Sequence, residues 1–103
     1  MRHEQMQSEL KEYGGWLVHR EYSPATIEKY THVLSRFFQE SRLEGEPTKE
    51  DVAAWRDGLA RSGYSAASVN AMLAAVNGYQ EFRERPQEKA KPLKRQRRAF
   101  REE

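Results

Sequence analysis

Two short segments of the chain place hydroxyl groups at a spacing that suits phosphate binding. Residues 22–27 and 64–69 share the pattern Tyr-Ser-x-Ala-Thr/Ser-Ile/Val. Each pattern predicts a serine N-cap, with a second hydroxyl three residues later, at the start of a helix. The unpaired backbone N–H groups of a helix start attract anions. A cap without a ligand is the commoner role of one such segment, but two copies could hold two phosphates of one ligand.

Other kinds of chemistry have little support in the residue types. The chain has no cysteine, and its histidines, His3, His19 and His32, lack the spacing of metal ligands. None of its tyrosines lies in a catalytic constellation, and Tyr30 and Tyr79 recur with apolar residues at helical spacing. We therefore expect no catalytic residue, no metal, no cofactor and no small-molecule ligand.

Length and composition favour a single helical domain. A chain of 103 residues is long enough for one domain. Ala and Leu total 18 residues whereas Ile and Val total six, which is too few β-branched residues for a sheet-based core. No segment approaches the ~20 apolar residues of a membrane span, and we expect no signal peptide because no basic and then apolar segment opens the chain. The sequence therefore predicts an all-α protein that has no membrane partner, and the lack of cysteine suits a reducing cytoplasm.

The charge is unevenly distributed along the chain. Residues 1–85 hold 11 basic and 13 acidic side chains, a net of −2, whereas residues 86–103 hold 7 basic and 3 acidic, a net of +4. The second segment has only Leu93 and Phe100 as large apolar residues, so it cannot form a core of its own. We therefore predict a mildly acidic globular domain at 1–85 and a basic extension at 86–103.

Apolar periodicity and capping residues predict two helices in the first half of the chain. The first runs from about Glu4 to His19, and the glycines at 14–15 indicate a break in it or the close approach of another helix. The second begins at Ser23-Pro24, an N-cap followed by proline at the first helical position, and runs to about Ser41.

Two more helices are predicted in the second half. Thr48 caps the third, with Asp51 in a capping-box position and Gly63 as its C-terminal cap. The fourth begins at Ser65 and is bounded by Pro86. The apolar faces expected to form the core are Met6, Leu10, Tyr13, Leu17, Ile27, Tyr30, Leu34, Phe37, Phe38, Val52, Trp55, Leu59, Val69, Met72, Leu73, Val76 and Tyr79. Four helices with short loops make a compact bundle.

The order of these segments resembles the N-terminal core-binding domain of tyrosine recombinases, the phage integrase and Xer-type family. That family opens one helix with Ser-Pro-x-Thr-x-x-x-Tyr-x-x-x-Leu, which the chain matches at 23–34. Its Thr-x-x-x-Val is matched at 48–52, its Ser-x-x-Ser/Thr-Val-Asn at 65–70, and its Leu-x-Ala-Leu/Val at 73–76. The resemblance covers about residues 5–85.

The resemblance implies a SAM-like four-helix bundle that binds double-stranded DNA. In this family the domain packs on the face of the DNA opposite a catalytic domain, and its second and fourth helices approach the major groove. It implies other recombinase protomers as partners, and a non-catalytic role for this part of a longer enzyme. The positions that would face DNA are Ser23, Thr26, Lys29, Thr31, His32, Arg36, Ser65, Ser68, Asn70 and Asn77.

The predicted DNA surface carries few cations. The family often has Arg or Lys just after the tyrosine of the second helix and again on the fourth, where this chain has Thr31-His32 and Ala71-Met72. Few cations displace few counterions, so we expect weak, salt-sensitive binding. The basic residues of the extension, which could grip phosphates or form a solvated interdomain linker, are Lys94, Arg95, Arg97 and Arg98.

Two expectations follow from this charge distribution. Removal of residues 86–103 should lower any salt-dependent DNA affinity more than it lowers the stability of the fold. The alternative function is a non-enzymatic helical module that binds a protein partner, which the slightly acidic charge of residues 1–85 favours.

Overall fold

Four helices form where the capping residues and the apolar periodicity require them. The computed structural model describes residues 2–43 and 45–94. Within them, α1 spans His3–His19, α2 Pro24–Ser41, α3 Lys49–Arg61 and α4 Ala66–Phe82, and a 3₁₀ turn spans Pro86–Glu88. No β-strand occurs in the described part of the chain. The predicted all-α class and its four helices are confirmed.

Side chains cap the helix starts at the predicted residues. Ser23 Oγ accepts a hydrogen bond from the Thr26 N–H at 3.2 Å, and α4 begins in the same way. At α3, Thr48 Oγ1 accepts from the Asp51 N–H at 3.2 Å, and Asp51 Oδ2 accepts from the Thr48 N–H at 2.9 Å. Each cap satisfies a backbone donor that the helix leaves unpaired and contributes about 1 kcal/mol.

The predicted glycine ends α3. Gly63 has a φ of 106°, in the left-handed region where a side chain is disfavoured. Its N–H donates to the Ala60 carbonyl at 3.2 Å, and the Tyr64 N–H donates to the Leu59 carbonyl at 3.3 Å. This pair of bonds is a Schellman motif, and it turns the chain directly into the cap of α4.

The core lies where α4 packs against the other three helices and the 3₁₀ turn. Every helix contributes buried apolar side chains, which are Tyr13, Leu17, Val33, Leu34, Phe37, Phe38, Val52, Trp55, Leu59, Val69, Leu73, Ala75, Val76 and Tyr79. Val33 and Ala75 join the predicted faces, and five predicted residues lie half-buried at the edge: Met6, Leu10, Ile27, Tyr30 and Met72.

The two glycines of α1 do not break the helix. A Cβ on Gly14 would lie 3.7 Å from Thr31 Cγ2 and 3.9 Å from Ile27 Cγ2, whereas Gly15 faces open space. Of the two expectations for this pair, the close approach of a second helix is therefore the one that holds.

The Tyr13 side chain packs so closely against α4 that only a glycine at position 78 leaves room for it. Its side chain is fully buried, and its hydroxyl donates to the Ala75 carbonyl at 2.8 Å. A Cβ on Gly78 would lie 2.5 Å from that hydroxyl oxygen. Burial raises the pKa of the Tyr13 hydroxyl far above its usual value, because the interior disfavours the phenolate. Tyr13 is thus a neutral donor that joins α1 to α4.

Residues 86–94, predicted to begin a basic extension, pack against the bundle. Ala90 is buried, and the Gln80 side chain, which is itself fully buried, donates to the carbonyls of Pro47 and Glu88 at 2.9 and 3.3 Å. The Glu88 carboxylate accepts from the Lys49 N–H at 2.7 Å, at the start of α3. We name residues 86–94 the strap. Its contacts extend the folded unit past residue 85, because buried α4 side chains take the strap backbone as their partner.

Replacing Gly78 with alanine tests the gap. In an ordinary helix interior, Gly→Ala stabilises by about 1 kcal/mol, but here we expect Gly78→Ala to lower the free energy of unfolding by about 1–3 kcal/mol. Tyr13→Phe removes the clashing oxygen and leaves Cζ at 3.6 Å, which is ordinary contact. The double variant should therefore be more stable than Gly78→Ala alone. Urea denaturation of the four proteins measures this coupling, and strictly additive losses would contradict it.

Two truncations test the strap. Ending the chain after Arg85 removes Ala90, Leu93 and the partners of the Asn70, Asn77 and Gln80 side chains. We expect this truncation to lower the free energy of unfolding by about 2 kcal/mol or more. Ending the chain after Lys94 is the matched control and should change stability by less than about 0.5 kcal/mol, as is usual away from packed features. Equal losses from the two truncations in urea denaturation would contradict a folded strap.

Candidate nucleic-acid interface

The two hydroxyl-capped helix starts are exposed and alike. Ser23 Oγ donates to Thr26 Oγ1 at 2.9 Å, and Ser65 Oγ donates to Ser68 Oγ at 3.2 Å. The first N–H groups of a helix have no partner within it. Pro24 supplies no N–H, so α2 presents one donor fewer than α4. Each start could hydrogen-bond an anionic oxygen through its hydroxyls and N–H groups.

The fold keeps the two starts apart. The Tyr64 hydroxyl, next to the cap of α4, accepts from Arg36 Nη1 at 3.4 Å. Arg36 lies thirteen residues after Ser23, which is about 20 Å along α2 at 1.5 Å per residue. The two starts therefore form separate positions and would contact separate phosphates.

One side of α2 joins these positions. Lys29, His32 and Arg36 follow one another at intervals of three and four residues, so they lie on one face of the helix. Lys29 and His32 are exposed, and Arg36 is half-buried. Thr26 lies three residues before Lys29 and continues this face to the start of α2. We name these four residues the α2 face.

Thr31 does not belong to the α2 face, although the sequence grouped it there. Its hydroxyl donates to the carbonyls of Ile27 and Glu28 in its own helix, at 3.0 and 3.1 Å. Its methyl group faces Gly14 on α1. Thr31 thus lies at the contact between two helices, and its polar atom is already paired.

Arg36 is engaged on both sides. Its Nη2 lies 3.0 Å from Glu40 Oε2, and its Nε donates to the same oxygen at 3.1 Å. The hydrogen bonds to Tyr64 and then to Glu40 raise the pKa of the Arg36 guanidinium, which stays protonated. Glu40 Oε1 also accepts from Trp55 Nε1 at 2.9 Å. Glu40 and Tyr64 were not among the predicted site residues, although the four-residue spacing from Arg36 to Glu40 is a signal for an ion pair.

These side chains line a groove between α2 and α3. Its volume is about 560 Å³, and Gly58 and Ala54 of α3 form part of its wall. Trp55 is buried at its base with its ring against Phe37, 5.3 Å between centroids. Trp55 is therefore a core residue and is not positioned to stack on a base.

Asn70 and Asn77 are occupied within the chain. Asn77 donates to the Ala90 carbonyl at 2.9 Å and accepts from the Ala90 N–H at 3.1 Å. Asn70 makes the same pair of bonds with Leu93, at 3.0 and 2.8 Å. The strap thus covers the side of α4 where these two residues were expected to face DNA.

Apart from Glu81 near its end, which is paired with Lys89, the rest of the exposed surface of α4 is small and uncharged. Ala67, Ala71 and Ala74 are exposed beside Ser68. Lys94 is exposed at the end of the described chain, and Arg95, Arg97 and Arg98 lie outside the described residues. The structure thus places the cations of the α2 face near the two helix starts, beside the exposed Arg20 and Arg61 at the ends of the preceding helices.

Exposed apolar residues do not favour a protein-binding stripe. The large apolar side chains that residues 2–43 and 45–94 expose are Val18, Tyr22 and Tyr64. The Tyr22 ring packs against Tyr30 at 5.7 Å, and the Arg36 guanidinium lies 6.0 Å from the Tyr64 ring. They fall at two separate places, at the end of α1 with the loop after it and just before the cap of α4, and make no continuous face along a helix.

Residues 2–43 and 45–94 also show no metal centre and no membrane span. Within them, no group of three or more His, Asp or Glu side chains is arranged to hold a metal ion. None of their helices has the length and apolar character needed to cross a membrane.

Comparison with known proteins agrees with the motifs. The sequence model of the phage integrase N-terminal SAM-like domain matches residues 10–87. Tyrosine recombinase XerA of Pyrococcus horikoshii is 36% identical over 73 residues, which cover 71% of this chain and 25% of that protein. Tyrosine recombinase XerA of Pyrococcus furiosus is 34% identical over 83 residues, which cover 80% of this chain and 28% of that protein. The chain thus spans about a quarter of the length of these curated relatives, and the resemblance inferred from the sequence is confirmed.

Proposed function

We propose that this chain, which belongs to the family of phage integrase N-terminal SAM-like domains, binds double-stranded DNA as the core-binding part of a site-specific tyrosine recombinase. In this proposal it clamps the DNA face opposite a catalytic domain and works beside other protomers. The observation that carries the proposal is the pair of exposed, hydroxyl-capped helix starts joined by the α2 face. In this proposal the chain meets its DNA in the cytoplasm, the location that the family resemblance implies.

The helix starts would position the domain on the phosphate backbone. Hydroxyls and backbone N–H groups contact phosphate oxygens without reading bases, and such contacts set the register of a protein on the duplex. Starts about 20 Å apart along α2 would hold two phosphates at once. The exposed alanines of α4 are small and uncharged, so this helix can approach the duplex without displacing a long side chain.

The proposed role is one of binding and not of DNA cleavage. Tyr13 and Tyr79 are buried, and burial raises the pKa of both hydroxyls, which opposes formation of a nucleophilic phenolate. The Tyr79 hydroxyl donates to Glu9 Oε1 at 2.9 Å, and Tyr30 is half-buried. These tyrosines hold the bundle together, and the chemistry would come from another part of the recombinase.

Substitution of the α2 face tests DNA binding. We expect Thr26→Ala/Lys29→Ala/Arg36→Ala to weaken binding of a fluorescent duplex at low salt. Loss of two phosphate-facing cations should make binding less dependent on salt, so that the negative slope of log K against log salt becomes shallower by about 2. Fluorescence anisotropy over a range of salt concentrations measures both quantities.

A matched variant controls for net charge. Arg2→Ala/Ser8→Ala/Lys49→Ala removes one hydroxyl and two cations from exposed positions at the starts of α1 and α3 and along α1. It should lower affinity much less than the α2-face variant does. If the two variants weaken binding equally, the contact is non-specific. If the wild type binds no better than an unrelated acidic helical domain, the proposal fails.

Release of Arg36 from its ion pair gives a change in the opposite direction. Glu40 lies 3.0 Å from the Arg36 guanidinium and would repel a nearby phosphate. We expect Glu40→Gln to tighten duplex binding several-fold, because Arg36 is freed while the Gln oxygen can still accept from Trp55 Nε1. The same anisotropy titration measures it, with Glu50→Gln on the outside of α3 as the control. Unchanged or weaker binding by Glu40→Gln would remove Arg36 from the proposed interface.

A further inference from the structure

We infer that Asn70 and Asn77 are positioning residues: they hold the strap along α4 and so determine where the basic C-terminal segment leaves the domain. That exit lies beside the first turns of α4. The consequence for DNA binding rests on the proposed function, but the positioning itself does not.

Both amide groups bond to the strap backbone as donor and as acceptor. The Asn77 side chain exchanges two hydrogen bonds with Ala90, and the Asn70 side chain exchanges two with Leu93, all between 2.8 and 3.1 Å. An amide that both donates to and accepts from one residue imitates a neighbouring β-strand. These are the only asparagines in the chain, and both bind the same nine-residue strap.

The spacing of the two asparagines matches an extended strap. Seven residues separate Asn70 from Asn77, which is about 10 Å along a helix. Three residues separate Ala90 from Leu93, which is also about 10 Å in an extended chain. The backbone is already extended at Lys89, where ψ is 147°. The strap therefore runs antiparallel to α4 with both pairs in register.

Other contacts fix the strap on the side of α3. Arg56 Nη1 donates to the Lys91 carbonyl at 2.7 Å, and the Glu88 carboxylate accepts at the start of α3. Lys89 Nζ lies 2.6 Å from Glu81 Oε2, and this hydrogen bond lowers the pKa of the Glu81 carboxyl. The strap is held from α3 and α4 together, so its direction does not depend on one bond.

This path decides where the cations begin. Lys94 follows Leu93, which is bonded to Asn70, and Asn70 lies five residues from the Ser65 cap, about 7.5 Å along the axis. Without the two asparagines, the strap would lose the four hydrogen bonds that hold its last residues along α4. The asparagines thus act through the strap, and bring the start of the basic segment to a helix start of the proposed DNA surface.

Amide hydrogen exchange tests the bonds between the two asparagines and the strap without DNA. We expect Asn77→Ala to speed exchange of the Ala90 N–H, and Asn70→Ala that of the Leu93 N–H, by roughly fivefold or more for the loss of one hydrogen bond. Exchange at Val76 and Tyr79 in the core should not change. Asn77→Asp keeps the acceptor for the Ala90 N–H and should restore part of its protection. Gln39→Ala, which removes an amide bonded only within α2, is the control.

A spin label tests the direction of the strap. The chain has no cysteine, so Lys94→Cys gives a single site for a nitroxide. We expect the label to broaden amide signals of residues 65–72 and to leave those of residues 79–83 sharp. The Asn70→Ala/Asn77→Ala variant should lose this contrast while its α4 signals keep their wild-type positions. Equal broadening at both ends of α4 in the wild type, or unchanged exchange at Ala90 and Leu93 in the variants, would overturn the inference.

A duplex titration separates this inference from the proposed function. If hydrogen exchange and the spin label give the expected results and the wild type does not bind duplex, the proposed function fails and the positioning role stands. If the wild type binds, Asn70→Ala/Asn77→Ala should lower affinity several-fold at low salt and little at high salt. The reason is that the basic segment would no longer start from a fixed position beside α4. Binding that is unchanged at low salt would overturn the consequence for DNA.

Discussion

The hydrogen bond from the Tyr13 hydroxyl to the Ala75 carbonyl sets the position of α1 against α4. It exists because Gly78 leaves a gap in α4 that any side chain would close. The phenol ring fills the space beside Tyr79 and Phe82, with centroids 5.9 and 5.8 Å away. Since α4 also contacts α2, α3 and the 3₁₀ turn, the placement of this one helix determines the surface that all of the others present.

Burial of α4 at the centre limits what it can offer to a partner. One side of the helix faces the core and another is covered by the strap. What stays exposed is its capped start, a row of small residues and Glu81, which is paired with Lys89. Of the α2 cations near that start, Arg36 is paired with Glu40. Such a surface could bind a partner through a few placed donors, which agrees with the slightly acidic composition of residues 1–85.

The strap changes how the basic segment relates to the domain. Composition marks residues 86–94 as a linker, because five of the nine are proline or lysine and the apolar residues besides proline are only Ala90 and Leu93. Yet those two residues lie three apart in an extended chain. The distance between them equals the distance between two asparagines that lie seven apart on a helix. Neither the apolar pair in the strap nor the pair of asparagines on α4 is an unusual sequence feature by itself. The strap is held mainly through its own backbone, and backbone hydrogen bonds have no signature in side-chain composition.

The sequence by itself determined the helices and their inward faces. Ser23, Thr48 and Ser65 set three helix starts, Gly63 set one end, and the apolar period chose most of the core, because these effects act within a few residues of the chain. Local pattern could not show that Thr31 turns toward α1, that Arg36 is paired with Tyr64, or that Asn70 and Asn77 bind the strap. Those partners lie on other elements, and only tertiary packing brings them within hydrogen-bonding distance. The family and fold were therefore legible in the sequence, whereas the tertiary structure decided which polar side chains stay available to a partner.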